Sequence, residues 1–230
     1  MTEVVVALDL PRGSDALRLL DLLPEARWVK VGSVLMTREG AGLMRSLMGR
    51  GLRVFLDLKW HDIPNTVAEA VSAARELGVA MATVHALGGF DMMRAAAEAA
   101  GEELGLVGVT VLTSHDSLAY ARAVGRSHVV LADEVGRLTR EAMSAGLRGI
   151  VCSPHEVAGV RRVLARDAWL VVPGIRRRGD PRGDQVRVAT VADAVAGGAT
   201  HLVVGRPIIQ AADPAAVFRE LVEEARCAVS

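Results

Sequence analysis

Cysteine is scarce in this chain, with two in 230 residues: Cys152 in an apolar run and Cys227 near the C-terminus. Two such thiols supply neither a disulfide framework nor metal-ligand spacing, and they fit a reducing cytosol in which both are inert. An excess of charge is also missing. Lys and Arg number 27, Asp and Glu number 27, and the formal net charge is zero. With no basic surplus to neutralise a polyanion, nucleic acid and acidic membrane are not expected partners, and the partner should be small. No apolar stretch approaches the roughly 20 residues of a membrane span. The opening MTEVVVALDLP lacks a basic n-region and a cleavage site, so it reads as a first strand of a soluble, cytoplasmic protein. No linker or low-complexity segment divides the chain, so residues 1–230 are expected to form a single domain.

What is present is regular alternation. Hydrophobic residues make up 51% of the sequence, enough for a substantial core. Eight short runs are nearly continuous in apolar character: 4–10, 28–32, 53–59, 81–86, 106–113, 149–153, 169–175 and 201–206. That character belongs to strands buried on both faces. Helical segments lie between them, among them 14–23, 37–48, 67–77, 91–104 and 155–164. Gly78, Gly105, Gly146 and Gly197 fall just past helical periods, where the chain often turns left-handed before the next strand. Eight βα units in a chain of this length predict an α/β fold, a single (β/α)8 TIM barrel, a fold of typically about 250 residues. The longest irregular stretch, 176–187, follows the seventh strand and is rich in Gly and charge. It is expected to act as a functional loop that closes over a ligand.

In such a barrel the active site lies at the C-terminal ends of the strands, and polar residues recur there. Asp9 ends the first run, Lys30 sits between Val29 and Val31 in the second, Asp57 and Lys59 close the third, and Thr113 closes the fifth. Asp57 and Lys59 are two apart and share a face. Asp62 follows in the loop, and Pro64 suits the first turn of a helix, which brings Thr66 close to the site. Two carboxylates and two ammonium groups at the edge of apolar strands must partner one another or a ligand.

The run Asp57-Leu-Lys-Trp-His-Asp62-Ile-Pro-Asn-Thr66 resembles the signature of the orotidine 5′-phosphate decarboxylase family. The similarity spans the chain. It includes VALD ending at Asp9, KVG from Lys30, VTVLTS around Thr113, VCSPHE from Val151, PGIR ending at Arg176, GDQVRV containing Gln185, and VVGRPI containing Gly205 and Arg206. Trp60 stands where the family commonly carries Phe or another apolar residue.

The resemblance implies conversion of orotidine 5′-phosphate to uridine 5′-phosphate and carbon dioxide in pyrimidine biosynthesis, with no metal and no organic cofactor. It makes Lys59 the group that steadies the C6 carbanion and donates the proton, with Asp57, Asp62 and Lys30 completing the charge network. It places Asp9 and Lys30 on the ribose and Thr113 beside the pyrimidine. Arg176, Gln185, Gly205 and Arg206 fall to the phosphate or base. Asp62, Ile63 and Thr66 serve the active site of a neighbouring subunit, which implies a homodimer.

Arg177 and Arg178 read as a solvated charged turn, and His61 as a residue that orients its neighbours. Two alternatives stand beside this reading. A magnesium-dependent decarboxylase or aldolase acting on keto sugar phosphates shares the Asp-x-Lys-x-x-Asp run, but typically carries Glu where this chain has Lys30. A nucleotide-binding scaffold that has lost turnover is the other.

Overall fold

A backbone buried on both faces must satisfy its N–H and C=O groups in a ladder, so the apolar runs become parallel strands. A computed structural model describes residues 2–177 and 188–228. Its strands are β1 (Glu3–Ala7), β2 (Trp28–Gly32), β3 (Arg53–Trp60), β4 (Met81–His85), β5 (Gly105–Val109), β6 (Gly149–Val151), β7 (Trp169–Val172) and β8 (His201–Val204). They close into a barrel in chain order, with β1 pairing in parallel with both β2 and β8. The expected barrel is the architecture found.

The helices are α1 (Gly13–Asp21), α2 (Ser33–Gly49), α3 (Pro64–Glu76), α4 (Gly89–Ala100), α5 (Ser117–Ala123), α6 (Leu131–Ser144), α7 (Val157–Arg161), α8 (Val191–Ala196), α9 (Arg206–Ile209) and α10 (Pro214–Cys227). Pro64 and Pro214 stand at helix starts, where a missing N–H goes unnoticed. None of the described helices is long and apolar enough to cross a membrane.

Residues two apart on a strand share a face, and that period divides the core in two. A large cluster joins helices to the outer strand faces. A smaller one, made of Val5, Ala7, Trp28, Phe55, Met81, Val107, Val171 and Val203, fills the barrel. Two residues further along three of these strands, the same inward columns turn polar: Trp28 gives way to Lys30, Phe55 to Asp57 and Met81 to Thr83. The alternation that packs the interior therefore delivers charge to its C-terminal mouth.

The opposite end is plugged by rings. The His201 ring lies 5.0 Å from Trp169 and 5.1 Å from Trp28, and the Arg53 guanidinium sits 4.3 Å over Trp28. Trp169 explains two glycines, because a Cβ on Gly105 would meet its ring at 2.0 Å and one on Gly149 its backbone oxygen at 2.1 Å.

Several boundaries differ from the sequence expectation, each for a local reason. β1 stops at Ala7, so Asp9 lies beyond it. β5 stops at Val109 rather than Thr113, because the Thr110 hydroxyl and N–H both turn to the Val151 carbonyl and the chain then bends. β7 ends before Pro173, which has no N–H for the ladder, and β8 gives way at Gly205 to α9. The helix expected over 155–164 is a 3-10 turn at Pro154–Glu156 followed by the short α7. Left-handed backbone occurs at Gly78 and Gly146 as expected, but at Gly101 and Gly198 in place of Gly105 and Gly197. Gly105 is already the first residue of β5.

Burial above all, and then Arg53, depress the His201 pKa from 6.5 to about 4. A neutral buried imidazole contributes stability that is complete above pH 6.5 and is lost as the pH falls through about 4. Between pH 7 and pH 4 the protein should lose about 3 kcal/mol more than a His201→Phe variant. Urea unfolding of both at the two pH values measures the difference.

Candidate active site

Asp57 and Lys59 occupy an irregular piece of β3. Phe55 pairs with Met81 and Leu56 with Ala82, but the next pair is Trp60 with Val84. The segment Asp57–Leu58–Lys59 therefore bulges opposite Thr83. Lys59 takes φ 53, alone among the described non-glycine residues in having a positive value. Such a conformation costs on the order of 1–3 kcal/mol and persists only where its surroundings hold it. Thr83 does the holding: its Oγ1 accepts the Lys59 N–H at 2.8 Å and donates to Asp57 Oδ1 at 3.1 Å.

The charged groups then form a row of alternating sign. Lys30 Nζ lies 2.9 Å from Asp9 Oδ1 and 3.5 Å from Asp57 Oδ2, and Lys59 Nζ donates to Asp57 Oδ1 at 2.8 Å. The Lys30 and Asp57 side chains are 11% and 13% exposed and that of Lys59 is 38% exposed, so the ammonium facing outward is Lys59. Burial pushes Asp57 toward its neutral acid. Lys30 and Lys59, aided by hydrogen bonds from Lys59 and Thr83, outweigh it and hold the carboxyl below its usual range. Burial likewise pushes Lys30 toward the free amine, and Asp57 and Asp9 reverse it so that the net direction is upward.

One cavity gathers most of the residues singled out from the sequence: Asp9, Lys30, Asp57, Lys59, Thr113, Arg176, Gly205 and Arg206 all line it. β7 stands opposite β3 in the eight-stranded ring. Arg176, after β7, therefore faces the β3 end of the acid–ammonium row across the mouth, whereas Arg206, after β8, lies on the side next to β1 and Asp9. Arg176 is buried and donates to the Ile175 carbonyl at 2.8 Å. A Cβ on Gly205 would stand 3.4 Å from an Asp9 carboxylate oxygen, so glycine keeps the floor between them open. Arg177 pairs with Glu220 of α10 at 3.9 Å.

Asp62, Ile63 and Thr66 are not drawn into this cavity. They lie exposed in the loop after β3 and the first turn of α3. The Asp62 carboxylate accepts the Ile63 N–H at 2.7 Å, and the Ile63 side chain is 66% exposed. Gln185 and Arg178 lie outside the described residues, as does most of the 176–187 loop. His61 stacks on His85 at 5.5 Å, and burial first, then His61, Lys59 and His115, lowers the His85 pKa to about 4. Thr83 escapes sequence reasoning because a threonine in an apolar strand is an ordinary strand residue. Its one signal is polarity at an inward position beside the Asp57–Lys59 pair.

Comparison with known proteins converges on one family. The family model described as "Orotidine 5'-phosphate decarboxylase / HUMPS family" matches residues 2–221. A protein of Neisseria meningitidis serogroup A named orotidine 5′-phosphate decarboxylase is 47% identical over 225 residues, covering 96% of this chain and 91% of its own. One of the same name from Alkalilimnicola ehrlichii is 49% identical over 227 residues, covering 97% and 96%. The crystal structure of orotidine 5′-phosphate decarboxylase from Lactobacillus acidophilus superposes with a TM-score of 0.87 at 35% identity, covering 98% of this chain and 99% of that one.

A buried charge that loses its partner is more costly than a pair removed whole. Lys30→Met and Asp57→Leu should each destabilise the unliganded protein by about 3 kcal/mol, and the double variant by less than the sum. Urea unfolding of the four proteins closes this cycle.

Proposed function

The chain belongs to the orotidine 5′-phosphate decarboxylase / HUMPS family, and from that premise we propose that it converts orotidine 5′-phosphate to uridine 5′-phosphate and carbon dioxide by fixed charge alone. The observation that carries the reading is the Asp9–Lys30–Asp57–Lys59 row at the edge of a cavity that Arg176 and Arg206 also line. The two arginines suit a phosphate dianion, held by the loops that commonly bind phosphate in barrels. Asp9 and Lys30 suit the ribose hydroxyls, and Thr113 the pyrimidine.

Breaking the bond between C6 and the carboxylate leaves an electron pair in the ring plane, where it cannot delocalise. An ammonium already fixed beside C6 stabilises that charge with no reorganisation at the moment it forms. Lys59 is that group. It then transfers a proton from Nζ to C6, giving uridine 5′-phosphate, and regains a proton from solvent. Asp57 anchors the ammonium, and Lys30 balances Asp57, so the row is neutral before substrate arrives. Two ammonium groups in the row disfavour a divalent cation at the same place, and the reaction is proposed to run without metal or cofactor in the cytosol.

The exposed Asp62, Ile63 and Thr66 are proposed to complete the cavity of a second copy in a homodimer. An isoleucine 66% exposed beside residues that the family uses in its active site supports that pairing.

Lys59→Ala should lose nearly all carbon dioxide release while binding uridine 5′-phosphate much as the unaltered protein does, because its interaction develops in the transition state. Release of carbon dioxide by the unaltered protein should be unchanged by a chelator, and dependence on magnesium would refute the charge-only reading. Sedimentation paired with activity tests the dimer, and a fully active monomer contradicts it.

A further inference from the structure

Thr83 is wholly buried, does not line the cavity, and reaches the chemistry through two hydrogen bonds. We propose that it is a positioning residue for the decarboxylation, its hydroxyl locking the Asp57–Lys59 bulge so that the Lys59 ammonium stays aimed at the reacting carbon. The inference rests on the reading of the site as a decarboxylase.

The regular ladder is interrupted where it is needed most. Between the Leu56–Ala82 and Trp60–Val84 pairs no register with β4 fixes Asp57, Leu58 or Lys59, and the pairing with β2 reaches only to Asp57, opposite Gly32. Lys59 there holds a backbone conformation that side chains with a Cβ avoid. Left without an acceptor, its N–H would gain by relaxing toward the extended region, and the side chain would swing with it. The Thr83 oxygen prevents this by accepting that N–H. Because the oxygen is engaged as acceptor there, its own proton is directed to Asp57 Oδ1, the oxygen that also receives Lys59 Nζ. One hydroxyl thus ties the lysine at both ends, directly at the backbone and through Asp57 at the ammonium. On the neighbouring strand Thr83 is in register with Val107, part of the barrel filling, so the hydroxyl is mounted on rigid structure.

Valine matches threonine in shape and removes both hydrogen bonds, alanine removes bulk as well, and serine keeps the hydroxyl. Thr83→Val should lower kcat roughly 10- to 100-fold, the effect of misplacing a reacting group by about 1 Å. Binding of uridine 5′-phosphate, measured by calorimetry, should stay close to that of the unaltered protein. The acidic limb of the kcat profile should move to higher pH, because Asp57 loses a hydrogen bond that favours its carboxylate. Thr83→Ser should restore both rate and profile. Should the valine variant not fold, the Ala and Ser variants carry the same comparison. The proposal is overturned if Thr83→Val keeps the original kcat and limb, if its loss of rate is matched by an equal loss of nucleotide binding, if Ser is as impaired as Val, or if no variant lacking the hydroxyl folds. An unaltered protein that releases no carbon dioxide sinks the functional reading as well, whereas an active protein with an equally active Thr83→Val sinks this inference alone.

Discussion

Asp57 is the constraint around which the mouth of the barrel is built. A carboxylate buried this deeply is tolerable only with partners on both oxygens, and it has them: Lys59 and Thr83 on Oδ1 and Lys30 on Oδ2. Each partner comes from a different place in the chain, and each is itself committed. Lys30 is shared with Asp9, Thr83 is shared with the Lys59 backbone, and Lys59 is bent into a left-handed conformation to comply. The charges cannot relax independently, so the field at the cavity edge is fixed before a ligand enters.

The same barrel carries opposite solutions at its two ends. At the N-terminal end the inward columns finish in Trp28, Trp169 and a neutral His201, closed off by rings and a stacked guanidinium. At the C-terminal end they finish in ions. The period of two that packs Val5, Phe55, Met81 and Val203 into the interior also dictates that Lys30, Asp57 and Thr83 point the same way. Stability and chemistry are thus successive layers of one stack, and the apolar layers give the charges a rigid base.

Much of this was legible in the primary structure. Continuous apolar runs fixed the strand count and the parallel arrangement, because only strands covered on both faces read that way. The i, i+2 spacing put Asp57 and Lys59 on one face, and both line the cavity, but Lys59 reaches it through a bulge at positive φ that no regular alternation predicts. Strand ends were read less well, since Thr113, Pro173 and Gly205 continue an apolar pattern that the ladder itself abandons for local hydrogen-bonding reasons. Cap glycines misled at Gly105, whose lack of a side chain serves the Trp169 ring rather than a turn.

The sequence by itself determined the barrel, the identity of its charged residues and the family to which they belong, because periodicity and motif are properties of the chain in order. Tertiary structure alone decided which charges share a buried row and that Thr83 braces Lys59 across a bulge. Residues 30, 57 and 83 lie on three strands, and their mutual distances exist only once the sheet has closed.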